Sequence, residues 1–211
     1  MDPSSLHSQL LWAHDRLMGK SLLAPGRGSV AVRDPKTGDY VRWDGVSESV
    51  GKASSNGTSL EGMIFAFRSG IGGIIVAQPP FGTSLHQIDV TMPALFDEQV
   101  RQLGPSVETL EWTLGKEFST SDARKLARGD TVYLWNGQVL VFGYTLERAV
   151  FNLELFEKCA KSFLLAHLAG GRVSRIPWWV QLIAFRRLRK DEKKAADAYQ
   201  NRAMPTGLGS Y

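Results

Sequence analysis

Cysteine is nearly missing from this chain: Cys159 stands alone among 211 residues. A single thiol excludes an internal disulfide framework and points to a reducing compartment. Histidine is scarce too. His7, His14, His86 and His167 are the whole supply, and no two of them have the spacing of metal ligands. No apolar run reaches the roughly 18 residues that a membrane-crossing helix needs. The stretch "MDPSSLHSQLLWAHDRLMGKSLLAPG" carries His14, Asp15 and Arg16 inside its apolar part and lacks the pattern of a secretion signal. These absences lead to the expectation of a cytoplasmic protein without a membrane span. Internal repeats, low-complexity tracts and long linkers are lacking as well, so one domain over residues 1–211 is expected.

The 43% hydrophobic content is enough for a sizeable core. The net charge of +4 is unevenly placed. Residues 172–202 hold nine Lys and Arg against three Asp and Glu, a local +6 that leaves −2 for the rest. Basicity therefore belongs to the C-terminal segment and not to the whole surface.

Leu6, Leu10, Leu11, His14 and Leu17 recur at helical spacing over residues 5–19. "SVAVRDPKTGDYVRW" alternates and turns at Pro35–Gly38, the signature of a hairpin. Residues 47–60, rich in Ser and Gly, read as a loop or short turn. "EGMIFAFRS" reads as a short helix, "GGIIVAQ" as a buried strand, and "PPFGTSLHQIDV" as a turn, a short helix and a connection. "MPALFDEQVRQLG" has a helical period ending at Gly104. "VETLEWTL" reads as a strand, and "STSDARKLARGD" as a helix stopped by Gly129. "DTVYLWNGQVLVFG" pairs two strands around Asn136–Gly137, a strong tight-turn dipeptide. A long helix follows, with Thr145 as N-cap, a stripe of Ala149, Leu153, Phe156, Ala160 and Phe163, and a stop at Gly170–Gly171. A last helix is expected over residues 177–201. Strands interleaved with helices give a mixed α/β or α+β domain, with helices on the faces of a mostly antiparallel sheet.

Three stretches together resemble the class II aldolase/adducin family. "GSVAVR" (28–33) is similar to that family's Gly-Asn-(Val/Ile)-Ser-(Val/Ala)-Arg strand. "IGGIIVAQPPFGTSL" (71–85) is similar to its strand ending in His-x-His before a Pro and a short helix. "YLWNGQVLVFGYTLERAVFNLELFEKCAKSFLLA" (133–166) follows its His-Gly strand, its Thr-Leu-Glu-x-Ala junction and its long helix. The resemblance spans nearly the whole chain. It implies a three-layer α/β/α fold around a mainly antiparallel sheet, a homotetramer with active sites near subunit borders, and a divalent metal, usually zinc, held by three histidines. In the family that metal stabilises an enediolate during retro-aldol, lyase or epimerase chemistry. Adducins keep the fold and act as binding proteins, so the fold does not guarantee catalysis.

The ligand positions have changed. Val76-Ala77-Gln78 stands where the resemblance places His-x-His, and Asn136-Gly137 where it places His-Gly. Valine offers a metal nothing, and neutral amides are poor zinc ligands. The expectation is therefore no metal and no cofactor. His14 and His167 lie near apolar helix stripes and read as core histidines, His7 lies near a frayed terminus, and Cys159 reads as packing. His86, shortly after Gln78, is a candidate for the same cleft. Glu61 in "TSLEG" (58–62) resembles the family's catalytic glutamate, with a helix N-terminal carboxylate as the plain alternative.

The family's phosphate-binding turn reads here as Arg42-Trp43-Asp44-Gly45, and its first loop as Gly26-Arg27-Gly28-Ser29. Asp44 repels an anion, which Arg27 and Arg42 offset in part, and Trp43 suits an apolar ligand. Asp44-Gly45 is also simply a good turn. A diverged aldolase-like enzyme follows: lyase, decarboxylase, cyclase or isomerase in type, acting on a small non-phosphorylated carbonyl compound. Its expected catalytic residues are Glu61 as base with His86 as a second candidate, and Gln78 and Asn136 as oxyanion or substrate contacts. Ser29, Trp43 and Asp44 are its expected substrate contacts. The alternative is a catalytically silent, adducin-like scaffold. The helix "IPWWVQLIAFRRLRKDEKKAADAYQ" joins an apolar face to a basic cluster. Such a helix could lie on an anionic membrane or contact nucleic acid. The expectation preferred is that its apolar half docks on the domain or on a neighbouring subunit while its charged half is a solvated face, with no nucleic acid among the partners.

Overall fold

The computed structural model describes residues 5–24, 26–55, 59–88, 91–171 and 173–207. Thr58, ahead of Glu61, and the expected connection through Asp89 and Val90 lie outside the described residues. Helix α1 (Leu6–Gly19) starts where Ser5 Oγ accepts the Ser8 N–H, and it buries Leu10, Ala13 and Leu17. The hairpin follows as β1 (Ser29–Arg33) and β2 (Tyr40–Trp43), paired antiparallel. Its turn is held by the Asp34 carboxylate, which accepts the Lys36 N–H at 2.8 Å and the Thr37 hydroxyl at 3.1 Å.

Residues 47–60 correct the expectation of a loop. They contain β3 (Glu48–Gly51), paired antiparallel with β2 at the sheet edge. The strand is mostly exposed, so it needs no apolar alternation and shows none. Helix α2 (Leu60–Phe67), strand β4 (Gly73–Ala77), helix α3 (Pro80–Ser84) and a 3-10 turn at Leu85–Gln87 come next. Then follow α4 (Asp97–Leu103), β5 (Glu108–Leu110), α5 (Thr120–Arg128), β6 (Val132–Trp135) and β7 (Gln138–Gly143). Helices α6 (Leu146–Leu168) and α7 (Trp178–Gln200) close the chain.

The seven strands form one sheet in the order β3-β2-β1-β4-β7-β6-β5, antiparallel throughout except for β5 beside β6. Side chains alternate across it. Val30, Val32, Ile75, Ala77, Val139 and Val141 face the layer of α1 and α6, where Cys159 and the whole expected α6 stripe are buried. Ala31, Ile74, Val76, Leu140 and Phe142 face the other layer, against Ile64 and Phe65 of α2 and Leu126 of α5. The fold is thus three-layered, α/β/α, with a mainly antiparallel sheet, as the resemblance implied. The N-terminal turn of α6 lies directly on the sheet: a Cβ at Gly73 would stand 2.5 Å from Leu146 Cα, and one at Gly143 would overlap the Ala149 nitrogen.

Helix α7 is pinned by a narrow inner stripe. The Tyr144 hydroxyl donates to the Leu188 carbonyl at 2.8 Å, the Tyr199 hydroxyl to the Tyr144 carbonyl at 2.7 Å, and buried Arg68 pairs with Glu192 at 2.8 Å. The apolar half of this helix departs from expectation within the chain, because Trp178, Trp179, Leu182 and Ile183 are exposed.

Asp130, between α5 and β6, is fully buried, and neither carboxylate oxygen has a well-formed hydrogen bond among the described residues, the Ser106 backbone N–H being only a weak donor to it. The Arg128 guanidinium stands 3.4 Å away, yet burial pushes the Asp130 carboxyl up from 3.8 to about 6. A carboxyl whose folded value is raised stabilises the fold fully below its unfolded value and loses that contribution as pH rises through about 6. Asp130→Asn, which carries no such charge, should therefore gain stability relative to the parent by up to about 3 kcal/mol between about pH 4 and pH 7.5. Urea melts of both proteins at each pH measure the difference.

Candidate functional site

The strand register gathers the expected site residues at one end of the sheet. Ser29 opens β1 opposite Val76, Val30 pairs with Trp43, Ala77 pairs with Val139, and Trp135 pairs with Gln138. The start of β1, the ends of β2, β4 and β6, and the start of β7 therefore share an edge. Ser29, Trp43, Asp44, Gln78 and Asn136 all sit on that edge, though not in one cluster.

The compact part is built around Glu61. Ser59 caps α2, its Oγ accepting the Gly62 N–H at 3.0 Å and sharing a 2.7 Å hydrogen bond with the Tyr40 hydroxyl. This cap puts Glu61 in the first helical turn, where the helix dipole favours a carboxylate. Only 6% of Glu61 is exposed. Its Oε1 accepts from the Ser29 hydroxyl at 3.1 Å and from Arg42 Nε at 2.9 Å, while Oε2 accepts nothing among the described residues. Arg42 also reaches Asp44, with Nη1 at 3.4 Å from Oδ2. The guanidinium is a third exposed and covers the carboxylate from the solvent side.

Arg42 is the site residue that the sequence reading missed, treated there only as a charge offset. The available signal was parity: residues 40, 42 and 44 share one face of β2 and its extension, the face that α2 covers.

Asp44 serves its own turn. Its Oδ1 accepts the backbone N–H groups of Ser47 at 2.9 Å and Val46 at 3.0 Å, and these donors hold its carboxyl below the usual carboxylate range. Trp43 points to the opposite face of the sheet from Glu61. It packs toward α1 with its ring edge-on to His14 at 6.2 Å, and its buried Nε1 has no hydrogen-bond partner among the described residues. Trp43 and Glu61 therefore do not line one cleft. The reason is strand alternation: Trp43 is one residue out of phase with Arg42.

Gln78 follows Ala77 at the end of β4, half-buried and with no hydrogen bond among the described residues. By parity it lies on the Val76 side, the side of Glu61. Asn136 is exposed in the β6–β7 turn, where it and Gly137 both take positive φ, 48° and 72°. Two strand spacings, about 10 Å, separate its strand from β4. His86 belongs to the segment packed on the α6 side. Its Nε2 lies 3.1 Å from the Gln138 carbonyl, which requires Nε2 to donate. His86 and Glu61 thus come from elements on opposite faces of the sheet.

The other histidines correct the expectation of core residues. His14 is half-buried against Trp43, and His167 is exposed and stacked on Phe163 at 5.8 Å, because both lie at the rims of their helix stripes. His7 is held by Glu48, with Nδ1 at 2.5 Å from the carboxylate.

The donor chemistry at the implied zinc positions does not fit zinc. The Val76 side chain is buried in an apolar cluster with Ala31 and Leu140, Gln78 is a neutral amide, and Asn136 faces solvent. Among the described residues no three of His, Cys, Asp and Glu come together as ligands.

No protein-family model matches the sequence, and no curated protein matches it. Solved structures do match the fold. An L-fuculose 1-phosphate aldolase has a TM-score of 0.69 at 18% identity, over 90% of this chain and 98% of that one. The L-fuculose 1-phosphate aldolase from Glaciozyma antarctica PI12 has a TM-score of 0.63 at 15% identity, over 94% and 91%. An aldolase II superfamily protein from Pseudomonas syringae has a TM-score of 0.63 at 11% identity, over 99% and 96%. The chain has the class II aldolase fold, and at these identities the likeness speaks for the fold alone.

If Asp44 acts through its turn, Asp44→Ala should lower stability by about 1 kcal/mol through the lost N–H acceptor. Asp44→Asn, which keeps an acceptor oxygen, should recover most of that loss. Thermal melts of the two variants against the parent check this.

Proposed function

We propose that this chain, built on the class II aldolase fold, is a diverged lyase-, decarboxylase-, cyclase- or isomerase-type enzyme working without the usual zinc. Its substrate is a small, non-phosphorylated carbonyl compound, and the working form is a homotetramer in the cytoplasm. Among the described residues no helix is long and apolar enough to cross a membrane. The observation that carries the reading is the Glu61 carboxylate, nearly buried at the edge of the sheet with one oxygen held by Ser29 and Arg42 and the other uncommitted.

In this reading Glu61 takes the proton from the carbon beside the carbonyl, and the electron pair moves to the carbonyl oxygen as an enolate. Ser29 and Arg42 fix the carboxylate, so Oε2 is the oxygen that receives the proton. The Gln78 amide donates to the developing oxyanion, a contact worth about 10²–10³ in rate. That is too little for an unactivated aldol cleavage and adequate for an easier proton transfer, cyclisation or decarboxylation. Asn136 contacts the far end of the substrate, as its distance along the edge requires. Asp44 supports Arg42, while Trp43 and His86, on the other face of the sheet, take no part in the step.

A second reading, a silent adducin-like binding protein, is favoured by one feature: Glu61 already has both partners in place and is covered by Arg42.

Solvent-exchange NMR in D₂O separates the two. A panel of small 2-oxo acids and hydroxyketones, each with and without a phosphate, is incubated with the protein, and deuterium uptake beside the carbonyl is followed. The enzyme reading expects uptake into at least one unphosphorylated compound and a loss of at least about 100-fold in Glu61→Gln, with the fold intact. No uptake across the panel, or uptake that survives Glu61→Gln, overturns it.

A further inference from the structure

Helix α7 carries two opposed faces. At about 100° per residue, the buried residues Ala184, Leu188, Asp191, Ala195 and Tyr199 form one stripe against the domain. On the opposite side the first turns present Trp178, Trp179, Leu182 and Ile183, exposed by 74%, 54%, 40% and 48%. Further along that outer side stand Arg186, Arg187, Lys190, Lys193 and Lys194, all exposed and none in an ion pair or hydrogen bond among the described residues. The helix's acids are spent elsewhere: Asp191 pairs with Arg101 and Glu192 with Arg68, leaving Asp197 as the one exposed acid near the helix end. The outer face is therefore apolar for two turns, then basic for three, on a helix anchored by its other side.

We propose that this face of α7 docks on an anionic membrane surface. Indole and aliphatic groups suit the boundary between headgroups and acyl chains, and the unpaired cations complement anionic headgroups. No helix among the described residues can span the bilayer, so the attachment is peripheral. The charge distribution argues against a second copy as the occupant, since residues outside 172–202 sum to only −2. Nucleic acid would use the cations and leave four large apolar side chains without a role.

The test is co-sedimentation of the full chain with vesicles of phosphatidylcholine alone and with about 30% phosphatidylserine added. Binding is expected to the anionic vesicles only, and it should fall steeply by about 0.5 M salt. Trp178→Ser/Trp179→Ser should weaken it at least about 10-fold through lost apolar insertion. Neutralising Arg186, Arg187, Lys190, Lys193 and Lys194 to Gln should do the same or more. All seven side chains are exposed, so neither variant should move the thermal midpoint. The proposal is overturned if anionic vesicles do not bind, or if the tryptophan pair does not affect binding. It is overturned equally if an oligonucleotide duplex binds more tightly than the vesicles, or if the tryptophan variant turns an oligomer into a monomer, which would make this face a contact between copies.

Discussion

Strand β4 is the constraint on which the structure depends. It lies between β1 and β7, antiparallel to both, with Ser29 opposite Val76 and Ala77 opposite Val139. That register aligns the strand ends into one edge and sends Ser29 toward the layer of α2. The same strand begins at Gly73, and its partner β7 ends at Gly143. Both glycines let the first turn of α6 rest on the sheet without a Cβ between them. A one-residue slip would exchange Val76 for Ile75 on the Glu61 side and break that helix contact at once.

Given that register, the chemistry of the edge follows from local electrostatics. A carboxylate in the first turn of a helix, capped by Ser59 and hydrogen-bonded by Ser29, remains nearly buried because Arg42 supplies a cation on the adjacent strand. Where the family resemblance calls for three imidazoles, the chain has a buried valine and two amides. Neutral donors can orient a substrate oxygen but cannot match the Lewis acidity of a metal, which is why the proposed reaction is a mild one.

Much of the fold was legible in the sequence because it rests on strong local signals. The α6 stripe, the Asn136–Gly137 turn and the Gly104 and Gly129 stops each have a direct physical cause, and each stands where it was expected. Strand β3 was not legible, since an exposed edge strand carries no burial pattern. The site was half legible. Glu61 and Ser29, named separately as base and substrate contact, are hydrogen-bonded to each other, while Trp43 faces the other side of the sheet and Asp44 is occupied by its turn. The two misreadings have different causes: strand alternation turns Trp43 away from Arg42 and Glu61, whereas the Asp44 carboxylate is already the acceptor of its own turn. The outer face of α7 was read as a docking half, yet the contacts that hold the helix come from small and polar residues of the inner stripe, which a hydrophobicity pattern undervalues.

The proposed chemistry at this edge dispenses with the metal that the family resemblance implies. The most direct measurement is the metal bound by the full chain, purified without tag or chelator and dialysed against micromolar zinc, manganese or iron(II), with elemental analysis afterwards. Less than about a tenth of an equivalent per chain is expected, because no three good donors converge among the described residues. About one ion per chain, held tightly and lost in Glu61→Ala or His86→Ala, would contradict it and place a metal at the edge after all.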